Sequence, residues 1–298
     1  MQSLSFGQKL SNTLVKIGHK NVFRFCTNLA LLRAVMNTAA KVNYPIPSRI
    51  ARRDFEVSAE GGMLKMIAFG DEQADRVLIY HHGGGYVMGS EHTHGRLAAL
   101  ISERTQSLVL FPLYRLAPDF APPAQLEDAL TCYRYALSLN KPVWLCGESA
   151  GGSLSLSLLA QIKAAGLTLP RGTSVFSPCT DWRDRTSAER YANSGEMMLS
   201  LNFLRTAHNA MASLADHYQV TPIFGDYHGC TPVQLQVAKT EYLYPDSVAM
   251  HALLQHQEVD SELIEFGDVH HAWQLSVGRS READLSIEHL RVFMAKTA

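Results

Sequence analysis

Long apolar runs are missing from this sequence: no stretch of about 18 apolar residues occurs, so no membrane-spanning helix is expected. Cysteine is scarce. Cys26, Cys132, Cys146, Cys179 and Cys230 are scattered, odd in number and never spaced C-x-x-C. That pattern excludes a disulfide scaffold and a zinc knuckle, and predicts buried free thiols in a reducing compartment. Net charge is also close to absent, with 27 basic against 28 acidic residues and a formal balance of -1. No nucleic-acid partner is expected, because such a surface needs clustered positive charge. The N-terminal segment MQSLSFGQKLSNTLVKIGHK has no charged start followed by an unbroken apolar core, so it does not read as a signal peptide. Cytoplasmic residence is the resulting expectation.

Apolar residues are plentiful, at 46% of 298, enough to build a full core. The length suits one large α/β domain or two small ones. Residues 1 to about 45 read as helical. Leu10, Leu14 and Ile17 share one face, and Leu29, Leu32 and Val35 form a second apolar stripe; both are read as packing surface. Pro45 and Pro47 end this region.

Beyond it, 55–57 and 63–67 alternate like half-buried strands. Short apolar runs follow at 77–80, 108–111, 143–146, 174–176, 233–237 and 263–266. Helical patterns lie between them, from Pro123 to Leu139 and from Gly151 to Ala165. Strands alternating with helices predict an α/β fold, a mostly parallel central sheet with helices on both faces. A helical stretch near 186–220, with Met197, Met198, Leu201, Leu204 and Met211, interrupts the rhythm and reads as an insertion that pairs with the N-terminal helices.

The sharpest local pattern is Gly147-Glu148-Ser149-Ala150-Gly151, directly after the apolar run 143–146 and before a helical run. This is the setting of a G-x-S-x-G nucleophile turn. The turn brings its flanks against neighbouring backbone, where only glycine fits, and places the hydroxyl at a helix start whose dipole favours negative charge. A second pattern, His82-Gly83-Gly84-Gly85, follows the run 77–80. Its unshielded N–H groups suit an oxyanion. A phosphate loop is the rival reading, but neither G-K-[ST] nor G-x-G-x-x-G is present.

A serine hydroxyl needs a base to take its proton, and in this order of elements the acid and then the histidine follow the serine along the chain. His270 and His271 sit just past the last apolar run. The acid is expected after 233–237, where Glu241 is favoured. Asp246, beside Ser247, reads as the N-cap of a helix over 247–255. His92 and His94, as H-T-H, have no carboxylate pattern around them, so no metal or organic cofactor is expected.

Three segments together resemble the hormone-sensitive-lipase family of α/β hydrolases: YHHGGGYVMGS around Gly83, YRLAPD from Tyr114 with PPAQLEDAL after it, and GESAGG from Gly147, where Glu148 replaces the family's usual aspartate. The likeness spans roughly residues 55 to 295. It implies the α/β-hydrolase fold with a helical cap: cap helices over 1–50, a catalytic domain over 51–298 and a cap insertion near 186–220. It implies Ser149 as nucleophile, His271 as base, because His271-Ala272-Trp273 matches the family histidine segment, and Glu241 as acid where the family has aspartate. The amides of Gly84, Gly85 and Ala150 form the implied oxyanion hole. Phe23, Phe25, Met88, Trp182, Met197 and Met198 are candidates for the pocket. The expected activity is hydrolysis of short- to medium-chain acyl esters of small molecules, with a homodimer as the expected assembly. A non-catalytic small-molecule binder and an amidase or deacetylase are the alternatives on the same fold.

Overall fold

A computed structural model describes residues 3–183 and 188–298. All the expected strands form: β1 (Arg52–Ala59), β2 (Gly62–Phe69), β3 (Val77–His81), β4 (Leu108–Pro112), β5 (Val143–Glu148), β6 (Gly172–Phe176), β7 (Val233–Ala238) and β8 (Ser261–Phe266). They make one sheet in the order β1-β2-β4-β3-β5-β6-β7-β8. β2 runs antiparallel to both its neighbours, and the strands from β4 across to β8 are parallel.

Ten helices accompany the sheet among the described residues: α1 (Phe6–Ile17), α2 (His19–Phe25), α3 (Leu29–Asn43), α4 (Glu91–Thr105), α5 (Ala124–Ser138), α6 (Ala150–Ala164), α7 (Ala188–Asn193), α8 (Leu201–Met211), α9 (Tyr244–His256) and α10 (Arg281–Lys296). The central strands β3 to β7 are buried at every position because both faces are covered. On β3, Val77 and Ile79 join one core while Leu78 and Tyr80 join the other. β5 divides likewise, Val143 and Leu145 against Trp144 and Cys146. Helices α5, α6 and α9 cover the first face, and α4 and α10 the second. The period of two in the strands therefore sorts one run of apolar residues into two cores.

The N-terminal region departs from its expected packing. Leu10, Leu14 and Ile17 share a face of α1 as predicted, but that face is exposed; Gln8 and Val15 on the other side are the buried residues. Polar anchors turn the helix this way. Ser5 donates to Glu282, Ser11 is hydrogen-bonded to His270 and Ser276, and the Asn12 side chain donates to the Asp268 carbonyl. On α3, Leu32 is buried, Leu29 is half-buried, and Val35 faces solvent.

Within the expected insertion, α8 packs on α2, with Phe23 stacked on Phe203 at 4.4 Å between ring centres. Residues 186 and 187, where the insertion was expected to begin, lie outside the described residues. Cys132, Cys146 and Cys179 are buried, whereas Cys26 and Cys230 are only half-buried, a correction to the uniform burial expected of the thiols.

Candidate active site

Ser149 stands between the end of β5 and the first residue of α6, with φ 55° and ψ -121°. That conformation is costly for a residue with a side chain, so the surroundings must impose it. Its amide donates to the Phe176 carbonyl on β6, which ties the turn to the sheet. A Cβ at Gly147 would collide with the Gly151 carbonyl, and one at Gly151 with the carbonyls of His81 and His82. The two glycines of the motif are therefore there for close approach between chains.

The imidazole of His271 reaches this turn from the loop after β8. Its Nε2 lies 2.9 Å from Ser149 Oγ, and its Nδ1 lies 2.6 Å from Glu241 Oε2. A carboxylate only accepts, so in the neutral imidazole Nδ1 carries the proton and Nε2 presents a lone pair to the hydroxyl. All three side chains are buried. Glu241 Oε1 accepts from Ser177 Oγ at 2.7 Å and from the Ala238 amide at 3.0 Å. The longer glutamate is thus folded back over the end of β7, which absorbs its extra methylene. Burial opposes the charged form of His271, but the charge and hydrogen bond of Glu241 outweigh it and raise the pKa to about 9.

The choice between the adjacent histidines has a physical basis. His270 Nδ1 is bonded to the His271 carbonyl and its Nε2 to Ser11, so neither nitrogen faces the serine. Burial lowers its pKa to about 4, which keeps it neutral. Asp246 is equally clear. It lies inside the first turn of α9, whose N-cap is Leu243, not at the N-cap position expected for it. Its carboxylate accepts from the amides of Thr180 and Asp181 and pairs with Arg190. It braces the loop after β6, and Glu241 is the carboxylate that meets the imidazole.

Gly84 and Gly85 line cavities that also reach Ser149. Among the described residues, the N–H groups of Gly84, Gly85 and Ala150 donate to no protein acceptor. Three unused main-chain donors beside one nucleophile are what a developing oxyanion requires. The glycine loop is held by Glu148, a role that the motif reading missed. Its carboxylate accepts from the Gly83 amide at 3.1 Å and lies 3.1 Å from His94 Nε2. Burial would raise the Glu148 pKa, yet the His94 contacts bring it below its usual value. The H-T-H pair does not act as a unit, since His92 turns instead towards Glu91 at 3.3 Å. Ser177 was missed as well; its only signal is a φ of 45°, which no sequence pattern displays.

A cavity enclosing about 850 Å³ of empty space, partly open to solvent, runs from Ser149 and His271 out between α1 and α3. Phe23, Met88 and Met198 line it as expected. A smaller one of about 290 Å³ lies on the other side of the serine, walled by Trp182, Phe203, Leu204, Ala207 and His208. Phe25 lines neither, because its ring faces solvent, and Met197 lines neither.

Comparison with known proteins agrees with this geometry. A family model described as alpha/beta hydrolase fold matches residues 78–275. An acetyl-hydrolase of Streptomyces hygroscopicus is 30% identical over 206 residues, covering 67% of this chain and 69% of that protein. The chain belongs to the α/β-hydrolase fold family, in its hormone-sensitive-lipase branch. Human hormone-sensitive lipase is 26% identical to it over 151 residues, covering 47% of this chain and 14% of that one. The crystal structure of an esterase/lipase from an uncultured bacterium superposes with a TM-score of 0.86 at 25% identity, over 98% of this chain and 99% of that one. The sheet and helices of this α/β hydrolase are thus the expected ones.

Four outcomes follow from the geometry of this α/β hydrolase. Gly151→Ala forces a methyl into the His81 and His82 carbonyls and lowers stability by several kcal/mol, read as a lower urea midpoint. His271 accepts a proton only when neutral, so kcat/KM rises with pH along a limb above 6.5, towards about 9. Glu241→Gln removes the charge that raises this limb, moves it to lower pH and cuts kcat roughly a thousandfold or more. Asp246→Asn leaves the limb in place while lowering thermal stability.

Proposed function

We propose that this α/β hydrolase cleaves carboxylic esters with short- to medium-chain acyl groups, with Ser149 as nucleophile, His271 as general base and Glu241 as the acid that orients it. The observation that carries the reading is the unbroken hydrogen-bond line from Glu241 through His271 to Ser149 at the inner end of a cavity. A non-catalytic binder has no use for a buried proton relay aimed at a strained hydroxyl.

In the first half-reaction, Ser149 Oγ attacks the ester carbonyl as His271 Nε2 takes its proton. The carbonyl oxygen gains charge and is met by the amides of Gly84, Gly85 and Ala150. Glu241 stabilises the imidazolium across the 2.6 Å contact. The alcohol departs with the proton of His271, leaving an acyl group on Ser149. Water then enters, His271 takes its proton, and the acid is released with the serine restored.

The two cavities divide the substrate. The departing oxygen must lie near His271, and His271 lines the larger cavity only. The alcohol part therefore occupies that cavity, and the acyl chain enters the smaller one behind Gly85. Its walls of large side chains, Trp182, Phe203, Leu204 and His208, restrict the acyl group to short and medium chains. The acetyl-hydrolase relative supports this size.

The same reading makes residues 1–50 and the segment near 186–220 a cap over a catalytic domain of 51–298. It also includes a cytoplasmic protein, in keeping with unpaired thiols, and a homodimer.

A fluorophosphonate probe is expected to label the wild type and not Ser149→Ala; an unlabelled wild type overturns the hydrolase reading. In a series of aryl esters, turnover is expected to fall as the acyl chain passes about ten carbons. Ala207→Leu, which narrows the smaller cavity, shifts the optimum towards acetate. An unchanged chain-length profile in that variant removes the acyl assignment.

A further inference from the structure

Charge is unevenly spread along the chain. All 28 acidic residues lie at or beyond Asp54, whereas residues 1–50 carry seven Lys or Arg and no acid. The near-neutral total conceals a basic N-terminal region on an acidic body. Arg33 and Arg49 are paired with Asp119 and Glu103. Lys9, Lys16, Arg24 and Lys41 are exposed and form no ion pair among the described residues.

The same helices carry most of the exposed large apolar side chains. On α1, Phe6, Leu10, Leu14 and Ile17 are 82%, 48%, 60% and 65% exposed, at i, i+4, i+8 and i+11. That spacing makes one continuous stripe. Lys9 and Lys16, seven residues apart, run along one flank of it. At the end of α2, Phe25 is exposed with the Arg24 guanidinium over its ring. On α3, Leu31, Val35 and Val42 form a second exposed stripe. Eight of the thirteen exposed large hydrophobics among the described residues fall within these three helices. Scattered apolar residues need no explanation, but a concentration on one short region does.

These stripes are not surfaces awaiting a partner within the chain. The inner side of α1 is already committed, through Ser11, Asn12 and Val15, to the loop bearing His270 and to the cavity wall. The larger cavity reaches the surface between α1 and α3 at Ala39 and Asn43, both exposed. Ala39 lies four residues after Val35 and three before Val42, so the α3 stripe borders this opening.

We propose that the outer face of α1 to α3 is a docking surface for an anionic lipid bilayer. The helices lie in the plane of the headgroups, with the α1 stripe in the acyl boundary and the lysines and arginine at the phosphates. Charge selects this occupant. A second copy of the chain would bring the same predominantly basic face, with Lys9, Lys16, Arg24 and Lys41 unpaired among the described residues, against itself, which like charge disfavours. An anionic leaflet complements it. The proposal concerns adsorption alone and stands whether or not Ser149 hydrolyses esters.

The test is co-sedimentation of the full chain with vesicles of phosphatidylcholine alone or with roughly one-third phosphatidylglycerol. Binding is expected to the anionic vesicles only, with release as salt shortens the range of the charges. Leu14→Ser with Ile17→Ser lowers partitioning at least about tenfold, and Lys9→Gln with Lys16→Gln lowers it by roughly fivefold per charge removed. All four positions are exposed and outside the cavities, so turnover of a soluble aryl acetate stays at the wild-type level. The charge pair keeps the test valid if the apolar pair misfolds. Three results overturn the proposal: no wild-type binding at low salt, equal binding by the folded variants, or a dimer that the apolar variant dissociates without any vesicle effect.

Discussion

At Gly151 the start of α6 lies so close to the end of β3 that a single added carbon would overlap two carbonyl oxygens, those of His81 and His82. This contact joins the two halves of the site. β5 and α6 deliver Ser149, and β3 delivers the glycine loop. Their spacing sets the distance between Ser149 and the amides of Gly84 and Gly85. The strained backbone at Ser149 persists because both flanks are held, by strand pairing on one side and by the first turn of α6 on the other. Glu148 adds a side-chain tie between the same two segments through the Gly83 amide. A Cβ at Gly83 would collide with that carboxylate, so the first glycine of the loop makes room for the tie.

Electrostatics then give the arrangement direction. The imidazole of His271 sits between a buried carboxylate and a hydroxyl, and the hydrogen bond to Glu241 fixes which nitrogen carries the proton. Its neighbour His270 has the same chemistry and the opposite use. Bound to a main-chain carbonyl and to Ser11, it fastens α1 to the loop that carries His271. Two adjacent residues of one type thus separate into a link between Glu241 and Ser149 and a strut, according to the partner each meets. Helix α1 is therefore coupled mechanically to the loop of His271 as well as lining the larger cavity.

Much of the fold was legible because its signals are local. Every expected strand appears, the first two where polar and apolar residues alternated and the rest where a short apolar run was bounded by turn residues; the central runs were continuous because both faces of the sheet are buried there. The G-x-S-x-G turn and the glycine loop are legible for steric reasons, since close backbone contact admits few residue types. What was misread depends on relations between distant segments. The stripe on α1 has a period that cannot say which way it faces, and hydrogen bonds to residues some 260 positions away turned it outwards. Asp246 was read as an N-cap, but the helix begins earlier, at Tyr244, and its carboxylate turns to the loop after β6. Phe25 looked like a pocket residue by composition, but the end of α2 points it to solvent.

The sequence by itself determined the class of the sheet, the sharp turn bearing Ser149 and the glycine loop opposite it, because each depends on neighbours within a few residues of chain. Tertiary structure alone decided the contacts of Glu241 with His271 and of His271 with Ser149, the two cavities and the outward turn of the α1 stripe. Those depend on Glu241, His271 and Ser149 converging across as many as 122 residues of chain. Distances of that kind are set by how whole strands and helices pack, and no local pattern of residues records them.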